Sequence, residues 1–229
     1  MKQLLANPPV PQIYRAAIIE SEGEGASGNG SASWTALLEE LNCPSLVGDA
    51  ALACARAAPA ATIRNIVDVN ALGFPAVNDN VTSSNNVAVN IDLKKWADVP
   101  LLIGTNADDG RLFAVGQGYN VTAFLDNYGA GALAPVIEAT YPPANTSTEA
   151  FEEIGDILTD LGLMCPMVQV IDTLVANGYQ DTWRYYYNAS FPNLEPFPDA
   201  GSWHSSEIKL VFGTVSRFLA LLHFLLQMC

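Results

Sequence analysis

Positive charge is scarce in this chain. Its 229 residues hold 10 Lys and Arg against 24 Asp and Glu, a net charge of −14, with an isoelectric point near 4.2. Nucleic acid is excluded as a partner, because phosphate binding needs basic side chains to displace counterions. An anionic membrane surface is disfavoured for the same reason. Histidine occurs twice and cysteine four times, without a CxxC pair or a Cys/His cluster. No metal site is therefore read, and four cysteines are too few for a disulfide scaffold. The apolar run Phe218–Leu226 has nine residues, far short of the roughly 20 that span a bilayer, so no membrane span is expected. Lack of hydrophobicity, by contrast, is not a feature. Half the residues are hydrophobic, which excludes a disordered chain and provides for a core.

Several short signals bear on compartment. Cys43 and Cys54 lie 11 apart across a turn and into a helical stretch; they are either two buried thiols or a local disulfide, which needs an oxidising environment. Five Asn-x-Ser/Thr sequons, at Asn29, Asn80, Asn120, Asn145 and Asn188, favour a secreted glycoprotein. The first residues, MKQLLANPPVPQ, contain no apolar stretch long enough for a signal peptide. A chain with secreted-type features inside and unsuitable ends reads as a piece of something longer.

Periodicity places the elements. Arg15–Ser21 and Val99–Thr105 are apolar runs expected to be strands. The second is so continuously apolar that both its faces are expected to be covered, as in a parallel sheet. Helical spacing marks Trp34–Leu41, Gly48–Ala57 and much of 122–178, with breaks at Gly129 and Pro142–Pro143. Residues 75–90 are rich in Asn, Val and Ser and read as an extended loop, and Asp181–Ala189 is aromatic and strand-like. Strands alternating with helical stretches predict an α/β fold with a mainly parallel sheet and helices on both faces.

Two loops then fall at the C-terminal edge of that sheet, where such folds keep their reactive groups. The first is Gly104–Phe113, GTNADDGRLF, whose carboxylates are either solvated turn residues or a partner for a histidine. The second is the Pro- and Gly-containing stretch that ends at His204, in WHSSEIKLVFG. A histidine there can serve as general base, although one histidine in a loop is as readily a structural residue. The other, His223, sits in the apolar tail and reads as a packing residue. Acid before histidine is the chain order of a hydrolytic triad on the α/β-hydrolase fold.

These blocks resemble the type-B carboxylesterase/lipase family, which includes the cholinesterases. Its G-x-x-x-D-E-G-x-x-F matches Gly104 to Phe113, and its H-x-x-E-I-x-x-V-F-G matches His204 to Gly213. Its R-A-I-x-x-S-G strand is similar to Arg15–Ser21, and its first disulfide corresponds to Cys43–Cys54. The resemblance implies that Asp109 stands where the family usually has its catalytic Glu and that His204 is the base. It also implies that Glu207 and Ser21 form a buried pair beneath the His, and that Cys165 matches a family cysteine whose partner comes later. Residues 1–214 would be the C-terminal part of one such domain, with 215–229 a tail unlike the family. The N-terminal strands, the oxyanion loop and the G-E-S-x-G nucleophile elbow are not in the chain, which contains no G-x-S-x-G at all. The expected function is that of a carboxylic ester hydrolase fragment, catalytically incomplete as written, acting on small-molecule esters without cofactor or metal. The alternative is a non-catalytic, cholinesterase-like adhesion module.

Overall fold

The apolar runs become a three-stranded parallel sheet of order β1-β2-β3. The strands are Ala17–Glu20 (β1), Leu101–Asn106 (β2) and Thr182–Tyr187 (β3). A computed structural model describes residues 2–23, 30–75, 77, 79, 83 and 87–214. The 215–229 tail, with His223 and Cys229, and the sequon residues Asn29 and Asn80 lie outside the described residues. Register runs Ala17↔Leu101↔Thr182 to Glu20↔Gly104↔Tyr185, so the polar ends of all three strands finish at one edge. Parallel pairing requires long crossovers, and helices supply them.

Ahead of β1 lies α1 (Lys2–Ala6). Between β1 and β2 come α2 (Ser31–Glu40), α3 (Gly48–Ala57), α4 (Ala60–Val69) and α5 (Val87–Asp92). Between β2 and β3 come α6 (Arg111–Ala114), α7 (Val121–Asn127), α8 (Ala134–Thr140), α9 (Ser147–Thr159) and α10 (Cys165–Ala176). After β3 there is α11 (Ile208–Val211). Side chains start two of these helices by accepting backbone N–H groups: Asn120 takes Ala123 N at 2.9 Å and Thr146 takes Glu149 N at 3.1 Å. A π-helical turn at Asp160–Met164 joins α9 to α10, next to Pro166, which has no N–H for the carbonyl four residues back. The resulting helix, Ser147–Ala176, is long and apolar enough to cross a membrane by length and composition. In this fold its Ile154, Ile157, Met167 and Leu174 are buried in protein core.

Alternation along the strands decides what is buried. Ala17, Ile19, Leu101 and Ile103 face one way and pack with Leu5, Ile91, Met167 and Leu174 from α1, α5 and α10. The opposite face is covered at the end of β2, where Gly104 and Asn106 are buried, and open nearer the strand starts. Ile18, Leu102 and Trp183 sit side by side in register and are 54%, 37% and 54% exposed. Continuous apolarity signals burial on both faces only where both faces find a partner, and among the described residues the second face finds one only along part of β2. A second core gathers Phe124, Leu125, Ile137, Ile154, Ile157 and Leu158 from α7, α8 and α9. A small third cluster joins Leu38, Ala51 and Ala55 of α2 and α3, beside the Cys43–Cys54 disulfide. The structure also differs from the sequence expectation at α5, which makes Val87–Asn90 helical rather than extended, and at α4, where periodicity predicts no element.

Candidate active site

The chain turns sharply as β2 ends. Asn106 is its last residue, Ala107 to Gly110 form the turn, and α6 begins at Arg111. Glycine is needed at 110 because the start of α6 is pressed onto α9: a Cβ there would lie 2.1 Å from the Gly155 carbonyl oxygen. Its N–H donates to Thr159 Oγ1 at 2.8 Å. This close seating buries the Asp109 carboxylate completely, at 0% exposure. Oδ2 accepts the Asn106 backbone N–H at 2.7 Å, and Oδ1 lies 3.0 Å from His204 Nδ1.

An ionised carboxylate only accepts, so the Asp109 contact fixes the His204 proton on Nδ1 and leaves Nε2 free to take one. The imidazole is 27% exposed and packs on the Phe113 ring, with centroids 5.1 Å apart. The pair joins residues 95 apart in sequence, one at the end of β2 and the other in the loop after β3. Such a pair can do general acid–base work, with the buried carboxylate stabilising an imidazolium.

The neighbouring Asp108 points elsewhere. Its Oδ2 accepts from Ser202 N at 2.8 Å and from Ser202 Oγ at 2.9 Å, while its own N–H donates back to Ser202 Oγ at 3.2 Å. Arg111 bridges the same two loops, pairing with Asp108 at 3.1 Å and donating to the Asp199 carbonyl at 2.8 Å. Gly201 fits only as glycine: its φ is +60°, and a Cβ would stand 2.3 Å from Asp108 Oδ2. Arg111 also faces Glu152 at 3.7 Å and lies close to Asp156. Burial pushes the Asp156 carboxyl up to about 6 despite Arg111, with the charges of Asp108, Asp160 and Glu152 adding to the rise.

Glu207 and Ser21 are both buried, yet no hydrogen bond joins them. Glu207 accepts instead from Asn106 Nδ2. Ser21, in the left-handed region at φ 48°, donates its N–H to the Gly104 carbonyl at 2.9 Å, and its buried hydroxyl lies beside that of Tyr185. Burial first, and then the Glu207, Glu20 and Asp109 carboxylates, push the Tyr185 ionisation well above the usual phenol value, against a smaller opposing effect of the Ser21 hydroxyl.

Cys43 and Cys54 are bonded to each other, and Cys165 is a free, exposed thiol. Asn120, Asn145 and Asn188 are exposed. Among the described residues no group of His, Cys, Asp and Glu has a geometry able to hold a metal ion. Sequence reasoning passed over Asn106, Ser202 and Arg111. A polar residue closing an otherwise apolar strand was the one signal for the first of them.

No family model matches the chain. Secreted lipase 5 of Gibberella zeae is 24% identical over 206 residues, which is 84% of this chain and 34% of that protein. Among solved structures, Aspergillus niger EstA superposes with a TM-score of 0.68 at 18% identity, over 93% of this chain and 45% of that one. A PNB esterase superposes at 0.64 and 22% identity, over 93% and 46%. The chain thus spans about a third of the length of the curated relative and under half of either solved chain.

Proposed function

The chain is a partial α/β-hydrolase fold similar to the type-B carboxylesterase/lipase family, and from that premise we propose that it carries the acid–base half of a serine ester hydrolase. In this reading His204 Nε2 takes the proton from a serine hydroxyl as its oxygen attacks the ester carbonyl. The same nitrogen returns that proton to the departing alcohol. A water then repeats the sequence on the acyl-enzyme, and the acid leaves. Asp109 holds the imidazole by Nδ1 and offsets the charge it gains. The serine and the oxyanion donors are contributed by sequence other than these 229 residues, which contain no G-x-S-x-G. The chain by itself is inactive.

One observation carries the proposal: a fully buried carboxylate spends one oxygen on the Nδ1 side of a partly exposed imidazole. Burying a charge is costly unless it is paired, and an adhesion module has no chemical use for this one. The Cys43–Cys54 disulfide and the exposed sequon residues Asn120, Asn145 and Asn188 support an extracellular setting, in keeping with the relative's name as a secreted lipase. The substrate class is a carboxylic ester.

Hydrolysis of p-nitrophenyl butyrate tests the reading in two contexts. Alone, the chain should match its His204→Ala variant, and His204-dependent turnover would refute its inactivity. Grafted in place of the corresponding part of the PNB esterase, it should support turnover that is lost in His204→Ala. A folded graft indifferent to His204 would refute the assigned chemistry.

A further inference from the structure

The His204 loop is held by a residue that neither motif assigns a role. Asn106 is completely buried and has two separate tasks. Its backbone N–H donates to Asp109 Oδ2 at 2.7 Å. Its side-chain Nδ2 reaches the Trp203 carbonyl at 2.9 Å, Ser206 Oγ at 3.4 Å and the Glu207 carboxylate. Those acceptors bracket His204 on both sides in sequence. The carbonyl and the carboxylate can only accept, so the amide must present its NH2 to them. Its Oδ1 is then left buried with no hydrogen-bond partner among the described residues, an unfavourable arrangement that the donors on the other side offset.

We propose that Asn106 is the positioning residue of the site: it ties the acid turn to the histidine loop so that Asp109 Oδ1 and His204 Nδ1 meet at hydrogen-bond distance. The inference rests on the acid–base reading of that pair. Without the side-chain amide, Asp109 keeps its backbone donor, but residues 203–207 lose their tie to β2. Ser205 holds φ at +78° in the middle of this loop, an unfavourable conformation for a non-glycine residue that surrounding contacts must hold in place. The imidazole would then sample positions away from Asp109.

The experiment follows the His204 Nδ1–H proton by NMR in the 15N-labelled 229-residue chain, its signal identified by its absence in His204→Ala. Asn106→Ala and the nearly isosteric Asn106→Asp both keep the backbone N–H and remove the amide donors; near-UV circular dichroism reports whether each is folded. The ring proton should exchange with solvent roughly tenfold faster in either folded variant, the effect of losing about one buried hydrogen bond. Ser206→Ala, which removes only the longest contact, should stay within about twofold of the parent. Parent-like exchange in a folded Asn106 variant overturns the proposal. Asp109→Asn separates this failure from that of the underlying reading: if it leaves the ring proton unaltered, the acid–base pair itself is refuted.

Discussion

Arg111 is a single cation set among carboxylates, with Asp108 and Glu152 within 4 Å and Asp156 close enough to feel its charge. Asp156 loses more by burial than Arg111 returns, so its carboxyl titrates near 6 rather than at the ordinary 3.8. The folded chain therefore favours the protonated form. The resulting stability is full below about pH 4 and is lost as pH rises through about 6. Asp156→Asn should flatten that part of the urea-unfolding profile and stabilise the chain at pH 7 by roughly 1–3 kcal/mol. Gly201→Ala should act in the opposite sense. It forces a Cβ into the left-handed region and against the Asp108 carboxylate, which should lower the urea midpoint by an amount equivalent to roughly 2–3 kcal/mol. Asp109 and His204 were legible in the sequence because each sits in a dense local motif. Asn106, Asp108 and Ser202 were not legible as a network, because their bonds connect residues 94 to 101 apart and no local pattern records such distances.

At the level of elements, the chain shows where periodicity suffices. Gly48–Ala57 begins and ends where its spacing says, β1 and β3 fall within the stretches read from apolar or aromatic runs, and β2 runs one residue past its own, to Asn106. Val87–Asp92 is helical against the Asn-rich composition of the 75–90 stretch because Ile91 and Asn90 are anchored on α1: Ile91 enters the core with Leu5, and Asn90 Nδ2 donates to the Ala6 carbonyl at 3.1 Å. Tertiary contact overrides weak local preference there. The α2–α3 pair is the opposite case, a layer with few buried side chains, Leu37, Leu38, Ala51 and Ala55, and a covalent bond across it. Replacing Cys43 and Cys54 by Ser should cost about 2–3 kcal/mol, by the loop-closure entropy of so short a segment. Native-state hydrogen exchange should show the loss concentrated in α2 and α3, with β1 and β2 little affected.

Viewed whole, the described residues bury Ala17, Ile19, Leu101 and Ile103 on one sheet face, while the other face is buried at Asn106 and exposed along an apolar row nearer the strand starts. Ile18, Leu102 and Trp183 form a contiguous exposed row across all three strands, the kind of surface that drives association. The isolated chain should self-associate at micromolar concentration, and Trp183→Lys should reduce its light scattering at equal concentration. The same open face agrees with a chain that matches less than half of each solved relative, and it bears on how function must be tested. Completing the fold is the direct approach. With the chain grafted into the PNB esterase, kcat for p-nitrophenyl butyrate should fall about 10²–10⁴-fold on His204→Ala, with the graft still folded. A loss smaller than tenfold would contradict the assignment of His204 and Asp109 as the acid–base pair of an ester hydrolase.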